Sequence, residues 1–295
     1  MGQTNADTDF SAGRDPWLAR LGDLRNVVRQ QVVARQLDGH VRGTFGDADG
    51  RPLRVLDVGA GQGTQVLRLA RLGHVVTAVE PDPLMRASFD KTTASLEDAA
   101  RERVTLLAGD LAKLASVTSP AAYDLILCHG VLMYLPESRT AIATLARAAA
   151  PGALVSVVAR NGDALAWRPS VRHDWEAVVE LLDEQEGALK QGRDPLYRNE
   201  LGVQARGDRS ADLLATFEDE GLRVEGWYGV RVATDDVSVD TPVPTPDELA
   251  RIVDVEERLG RTDPYRRLGT LIHVVGRAPG GRMAPWPRAR TSTAG

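Results

Sequence analysis

Three glycines follow an aspartate in the run Asp57-Val58-Gly59-Ala60-Gly61-Gln62-Gly63, where an apolar stretch gives way to helical spacing. A strand that turns through glycines into a helix presents backbone N–H groups outward, with no Cβ to block a ligand. Glu80 closes the next apolar stretch, 21 positions after Gly59, and Pro81 follows it. A carboxylate there suits the two hydroxyls of a ribose. The glycine spacing is G-x-G-x-G, not the G-x-G-x-x-G of dinucleotide binding. Asp57 would repel a pyrophosphate and attract an aminoacyl ammonium. Gly109-Asp110 ends a third apolar stretch, where a carboxylate can accept from an adenine amino group. Ammonium, ribose and adenine without phosphate are the parts of S-adenosylmethionine, whose product after methyl transfer is S-adenosylhomocysteine.

Strands must carry these groups to one edge. Apolar stretches at 54–58, 74–80, 104–108, 123–128 and 153–160 alternate with helical segments at 64–72, 84–101 and 137–149. That alternation predicts a parallel sheet with helices on both faces. Two further strands, 224–232 and 268–276, bring the expectation to an α/β, Rossmann-like, doubly wound and mostly parallel sheet of seven strands. An N-terminal helix over 16–37 precedes it. The expected organisation is a disordered N-terminus (1–12) and one domain (13–277). That domain comprises a core (52–160), a helical insertion or lid (162–207), and C-terminal strands with an acidic helix (208–277). A flexible tail (278–295) closes the chain.

Composition sets limits. The chain of 295 residues has a net charge of −5, which argues against coating nucleic acid through bulk positive charge. The charge is uneven, since residues 211–260 hold 13 acidic and 4 basic residues. Only three of the 36 basic residues are lysines, so local anion sites would be built from arginine. Cys128 is the one cysteine, which excludes a disulfide framework, and the five histidines show no metal-ligand spacing. No apolar run approaches the roughly 20 residues of a bilayer span. A cytoplasmic protein with no metal and no membrane partner is the expectation.

The ordered set LDVGAGQG, VEP, AGD and YDLILCHGVL resembles the class I S-adenosylmethionine-dependent methyltransferases over residues 52–160. A narrower likeness reaches from residue 23 to about 279, to the bacterial tRNA 5-carboxymethoxyuridine methyltransferases. It is carried by Asp23-Leu24-Arg25, by Tyr123 to Leu132 including His129, by Gly229-Val230-Arg231-Val232, and by Pro264-Tyr265, Leu268-Gly269 and Ile272-His273-Val274. The resemblance implies cofactor contacts from Arg25, Gly59, Ala60, Glu80, Leu111, Ala112 and His129, and tRNA as the partner. Relatives can carry a run of lysines after the fifth strand, where this chain has one lysine and scattered arginines.

His129, and Tyr134 five residues on, stand at the mouth of the fourth strand as candidate catalytic groups. A carboxylate nucleophile is ionised at neutral pH and needs no base. It does need a cation, for which Arg160 beside Asn161, and Arg231, are candidates. Tyr265 is a further substrate candidate, and Trp167 in the insertion suits stacking on a splayed base. Methylation of a small metabolite is the alternative function, and a regulatory protein that binds the cofactor without turnover is a third.

Overall fold

The computed structural model describes residues 13–46 and 51–280. The predicted disorder at 1–12 and most of the predicted tail therefore lie outside the described residues. The tail's first residues are held down. Ala278 is buried and donates its N–H to the Ala153 carbonyl at 2.9 Å, and the Pro279 carbonyl accepts from Gly152 at 3.0 Å.

Seven strands form one sheet: β1 Arg54–Val58, β2 Val75–Glu80, β3 Val104–Ala108, β4 Tyr123–His129, β5 Ala149–Arg160, then β8 Arg223–Val230 and β9 Leu271–Arg277. Their spatial order is β3-β2-β1-β4-β5-β9-β8. The first five are parallel, and β9 runs antiparallel between β5 and β8. Strand order therefore reverses between β1 and β4, and a crevice opens beyond their carboxyl ends.

Successive residues of the central strands face opposite sides of the sheet. Leu56, Ile126, Val155 and Ile272 enter one core with Ile142 and Leu145 of α7 (Arg139–Ala148) and Phe217 of α10 (Ser210–Asp219). Val55, Leu125, Leu154 and Val275 enter the other, with Val66 of α3 (Thr64–Arg71), Phe89 of α4 (Pro83–Thr93) and Leu37. Both faces are covered, which is why these strands read as continuous apolar runs.

The expected first helix is two. Asp23 adopts an extended backbone and caps α2 (Leu24–Phe45), accepting from the Asn26 N–H at 2.7 Å; α1 (Arg14–Ala19) precedes it. The helix expected over 84–101 also breaks. It becomes α4 and α5 (Asp98–Arg101), and the intervening turn drives Leu96 into a pocket with Ala70 and Ala100. A short α6 (Leu114–Val117) follows β3.

The insertion is not wholly helical. After α8 (Trp167–Val171) and α9 (Trp175–Lys190) it closes with a hairpin of β6 (Leu196–Arg198) and β7 (Gln204–Arg206). Arg206 pins that hairpin to the core. It donates to the carbonyls of Leu132 and Leu135, both at 3.1 Å, and pairs with Asp208 at 2.8 Å. The two ends of the insertion cross at Gly162 and Gly207, where a Cβ on Gly162 would stand 2.5 Å from the Gly207 oxygen. The acidic helix α11 (Pro246–Arg261) starts with a capping box of Thr245 and Glu248 and packs Val253 against Leu24, Val28 and Val32 of α2.

Candidate functional site

The glycine turn is built by backbone pairing. Gly59 and Ala60 donate N–H bonds to the Val79 carbonyl at 2.8 and 3.2 Å, which docks the turn on β2. Gly59 has φ +73°, and a Cβ there would lie 2.3 Å from Val131 Cγ2. Gly63, at φ +87°, admits α3 against Phe89, 2.8 Å from where its Cβ would be. Glu80 is held between two strands' ends. Its carboxylate accepts from the N–H groups of Gly61 at 2.9 Å and Asp82 at 3.0 Å. Burial raises its pKa, and these two donors oppose the rise.

Asp57 is buried at the end of β1, and desolvation, with the nearby Glu80 charge, pushes its pKa up to about 7. Burial lowers His129 to about 3, and the charges of Arg29 and Arg68 push the same way. His129 is therefore a neutral ring at physiological pH. The Tyr134 hydroxyl is pushed up by burial and stays protonated.

Glu80, His129 and Tyr134 open on one cavity of about 460 Å³. At one end lie Gly59, Gly61, Glu80, Pro81, Asp110 and Leu111, and His129 and Tyr134 stand between them and the far wall. That far wall is cationic. Arg20, Arg25, Arg160, Arg168, Arg198 and Arg231 all reach it, against Glu200 as the one acid lining it, while Arg29 lines the cavity near Gly61 and Asp57. Glu200 pairs with Arg20 at 3.1 Å, Arg25 at 3.0 Å, Arg231 at 3.5 Å, and Arg168. Despite burial, the arginine charges hold its carboxyl down at about 2. Asp235, behind the wall, pairs with Arg231 and lies 3.5 Å from Arg168.

Three arginines differ from the rest. Arg29, Arg160 and Arg198 have no carboxylate within ion-pair distance among the described residues, and Arg198 donates instead to the Gly202 carbonyl. Arg29 sits 4.9 Å from the Trp17 ring and Arg160 4.8 Å from the Tyr197 ring. Both of these have a buried Nε without a hydrogen-bond partner. Burial, with the charge of Arg231, lowers Arg29 to about 10.

The sequence-expected residues divide into three groups. Arg25, Gly59, Gly61, Glu80, Pro81, Asp110, Leu111, His129, Tyr134, Arg160 and Arg231 meet at the main cavity. Asp57 and Ala60 line a small adjoining recess of about 90 Å³ that Gly61, Arg29 and His129 share. Gly63, Ala112, Asn161, Trp167 and Tyr265 line neither. Asn161 is buried, and its amide N–H groups go to the carbonyls of Arg267 and Gly269 at 2.9 and 2.7 Å, where it fastens the base of the insertion. Trp167 and Tyr265 are half exposed on the outer surface.

Arg29, Arg168, Tyr197 and Glu200 escaped the sequence reading. Arg29 had a signal, since it lies four residues after Arg25 and shares its helix face. The other three come from an insertion with no motif.

Residues 56–155 match a family model described as a methyltransferase domain. The chain carries a class I S-adenosylmethionine-dependent methyltransferase domain. Over 260 residues this methyltransferase is 26% identical to the tRNA 5-carboxymethoxyuridine methyltransferase of Escherichia coli K12, a match covering 88% of this chain and 91% of that protein. It is also 28% identical over 188 residues to a ubiquinone biosynthesis O-methyltransferase of Methylocella silvestris, covering 57% of this chain and 72% of that one. The fold is that of the Synechocystis PCC 6803 magnesium protoporphyrin IX methyltransferase with bound SAH, with a TM-score of 0.55 at 19% identity, covering 91% of this chain and 95% of that one. No helix of the described residues is long and apolar enough to cross a membrane. No group of three or more histidine, cysteine or acidic side chains among them is arranged to hold a metal.

Proposed function

We propose that this methyltransferase esterifies a carboxylate on an anionic acceptor, namely the carboxylated wobble uridine of tRNA, in the cytoplasm. The cationic wall of the cavity carries this reading. Glu200, Asp235 and Asp23 are fewer than the six arginines that face it, and Arg160 and Arg198 have no carboxylate within ion-pair distance among the described residues. The donor adds no anion to this wall, since its one carboxylate is matched to Arg29 in the recess, so the balancing anions come with the acceptor. A nucleotide with a carboxylate and flanking phosphates supplies them, and a neutral phenol would not. The tRNA-modifying relative, matched over nearly the whole chain, supports the same choice.

The residues present fit S-adenosylmethionine. Glu80 suits the ribose hydroxyls and Asp110 the adenine amino group. The recess beside Gly61 holds an acid and a base, Asp57 and Arg29, that match an amino acid's ammonium and carboxylate. Arg25, which the resemblance assigned to the cofactor, is engaged by Glu200 and acts by fixing the wall. When bound, S-adenosylmethionine supplies a methyl group on a sulfonium.

The chain's part is to bind, align and exclude water. Arg160, with Arg231 beside it on the wall, receives the acceptor carboxylate, and the planar guanidinium fork sets its direction. Alignment of this kind is worth roughly 7–11 kcal/mol. No proton has to be removed, consistent with a neutral His129 and a protonated Tyr134 at the mouth.

Bulk tRNA from a strain lacking the gene, incubated with the purified protein and methyl-labelled donor, is expected to gain label that mild alkali releases as methanol. Absence of transfer refutes the tRNA reading. Alkali-stable label refutes the ester. Transfer to a small carboxylic acid but not to tRNA moves the acceptor to a metabolite.

A further inference from the structure

His129 is the outer end of a buried chain of polar side chains. Its Nε2 lies 2.9 Å from Ser156 Oγ on β5, and that oxygen lies 2.8 Å from His273 Nε2 on β9. His273 Nδ1 in turn lies 2.6 Å from Gln36 Oε1 on α2. Ser156 and His273 are wholly buried, and Gln36 is nearly so. One unbroken line therefore joins the cavity to the interior through four elements. Neither the cofactor contacts nor the acceptor wall calls for its last three members.

Each link holds a single hydrogen, so the direction at one end fixes the direction at the other. The amide oxygen of Gln36 accepts, so His273 Nδ1 carries hydrogen and its Nε2 is bare. Ser156 donates to that nitrogen, and its oxygen accepts from His129 Nε2–H. The second nitrogen of His129, Nδ1, is then a bare lone pair. It has no partner among the described residues, and the ring lines both the cavity and the recess. Burial keeps both rings neutral, so neither nitrogen pattern is overridden by protonation. Arg29, a cation lining the same recess, favours a lone pair over an N–H on that side.

We propose that Ser156, His273 and Gln36 are positioning residues that lock His129 as its Nε2–H tautomer and present Nδ1 to the cavity as a fixed hydrogen-bond acceptor. Such an acceptor takes a hydrogen from an ammonium or hydroxyl of the bound methyl donor. It leaves His129 no N–H to offer there. The effect on binding rests on the cofactor reading above, whereas the tautomer itself does not.

Long-range proton–nitrogen NMR of the full-length protein, labelled with nitrogen-15 in histidine, tests it. The His129 pattern is expected to show hydrogen on Nε2 and none on Nδ1, unchanged between about pH 6 and 8. Ser156→Ala should release the ring into both tautomers and raise KM for the methyl donor about tenfold with a smaller change in kcat, the size of one hydrogen bond to a charged group. Ser156→Thr, which keeps the hydroxyl, should retain the wild-type tautomer. Hydrogen on Nδ1 in the wild type overturns the proposal. So does a Ser156→Ala protein with unchanged tautomer and KM. Should Ser156→Ala fail to fold, the wild-type spectrum alone still decides. A correct tautomer in a protein that does not bind S-adenosylmethionine would refute the cofactor reading and leave the positioning intact.

Discussion

The two ends of the cavity are made in different ways. The glycine end is assembled from the ends of three successive strands, at 57–63, 80–81 and 110–111, and is fixed by backbone hydrogen bonds such as Gly59 to Val79. The arginine end collects α2, the end of β5, the insertion and the loop after β8, and is fixed by side-chain ion pairs centred on Glu200. Backbone turns are rigid once their strands pair. Ion pairs on a cavity wall can be exchanged for those of an incoming anion, because the anion takes the place of the carboxylate that a buried arginine would otherwise lose. The first end is suited to a ligand that is always the same, and the second to one that brings its own charges.

The contrast is most exposed at Gly59. Gly59→Ala places a Cβ on a positive-φ backbone and 2.3 Å from Val131. A loss of about 3 kcal/mol in chemical denaturation is expected, with donor binding lost. A stable Ala variant that still binds would show that the turn is not rigid. Glu80→Ala should abolish detectable S-adenosylmethionine binding by calorimetry, and unchanged affinity would refute the assignment of this end.

At the opposite wall, Arg160→Ala should raise the acceptor KM about 10- to 100-fold, the cost of one charge-assisted pair, while leaving donor affinity unchanged. Arg29→Ala should do the reverse. If both variants alter both affinities equally, the division into two ends fails.

Two smaller effects follow from pH. Asp57, raised to about 7 in the free protein, must ionise to hold an ammonium. Donor affinity should therefore rise as pH climbs toward 7, with proton release on binding. Calorimetry in buffers of different ionisation enthalpy reads that release, and Asp57→Asn should remove it. Glu200, held down at about 2, contributes stability that is present above its ordinary value near 4.5 and lost as pH falls from there toward 2. Thermal melts of wild type and Glu200→Gln should converge over that window. A gap that persists at the acid end would mean that the wall is held together without this carboxylate.

Much of the glycine end was readable before any coordinates, because each of its parts obeys a local rule. Gly59 is needed where φ is positive, Glu80 ends a strand that pairs with its neighbour, and alternating apolar stretches demand a covered parallel sheet. Misplaced boundaries arose where a side chain overruled local periodicity, as Asp23 did by capping α2 and Leu96 by turning inward. The readings of Asn161, Trp167 and Tyr265 followed position along the chain. In the fold, Asn161 points its amide at two carbonyls, and the two aromatics are half exposed and line neither the cavity nor the recess.

The sequence by itself determined the mostly parallel sheet and the glycine turn that ends β1, since apolar strands and glycine turns obey rules local to each segment. Only the tertiary structure decided which arginines share a wall, which of them find no carboxylate among the described residues, and that His129 is tied through Ser156 and His273 to Gln36. Those relations join residues as much as 237 positions apart. Charge pairing and proton direction depend on distance in space, on which sequence spacing is silent.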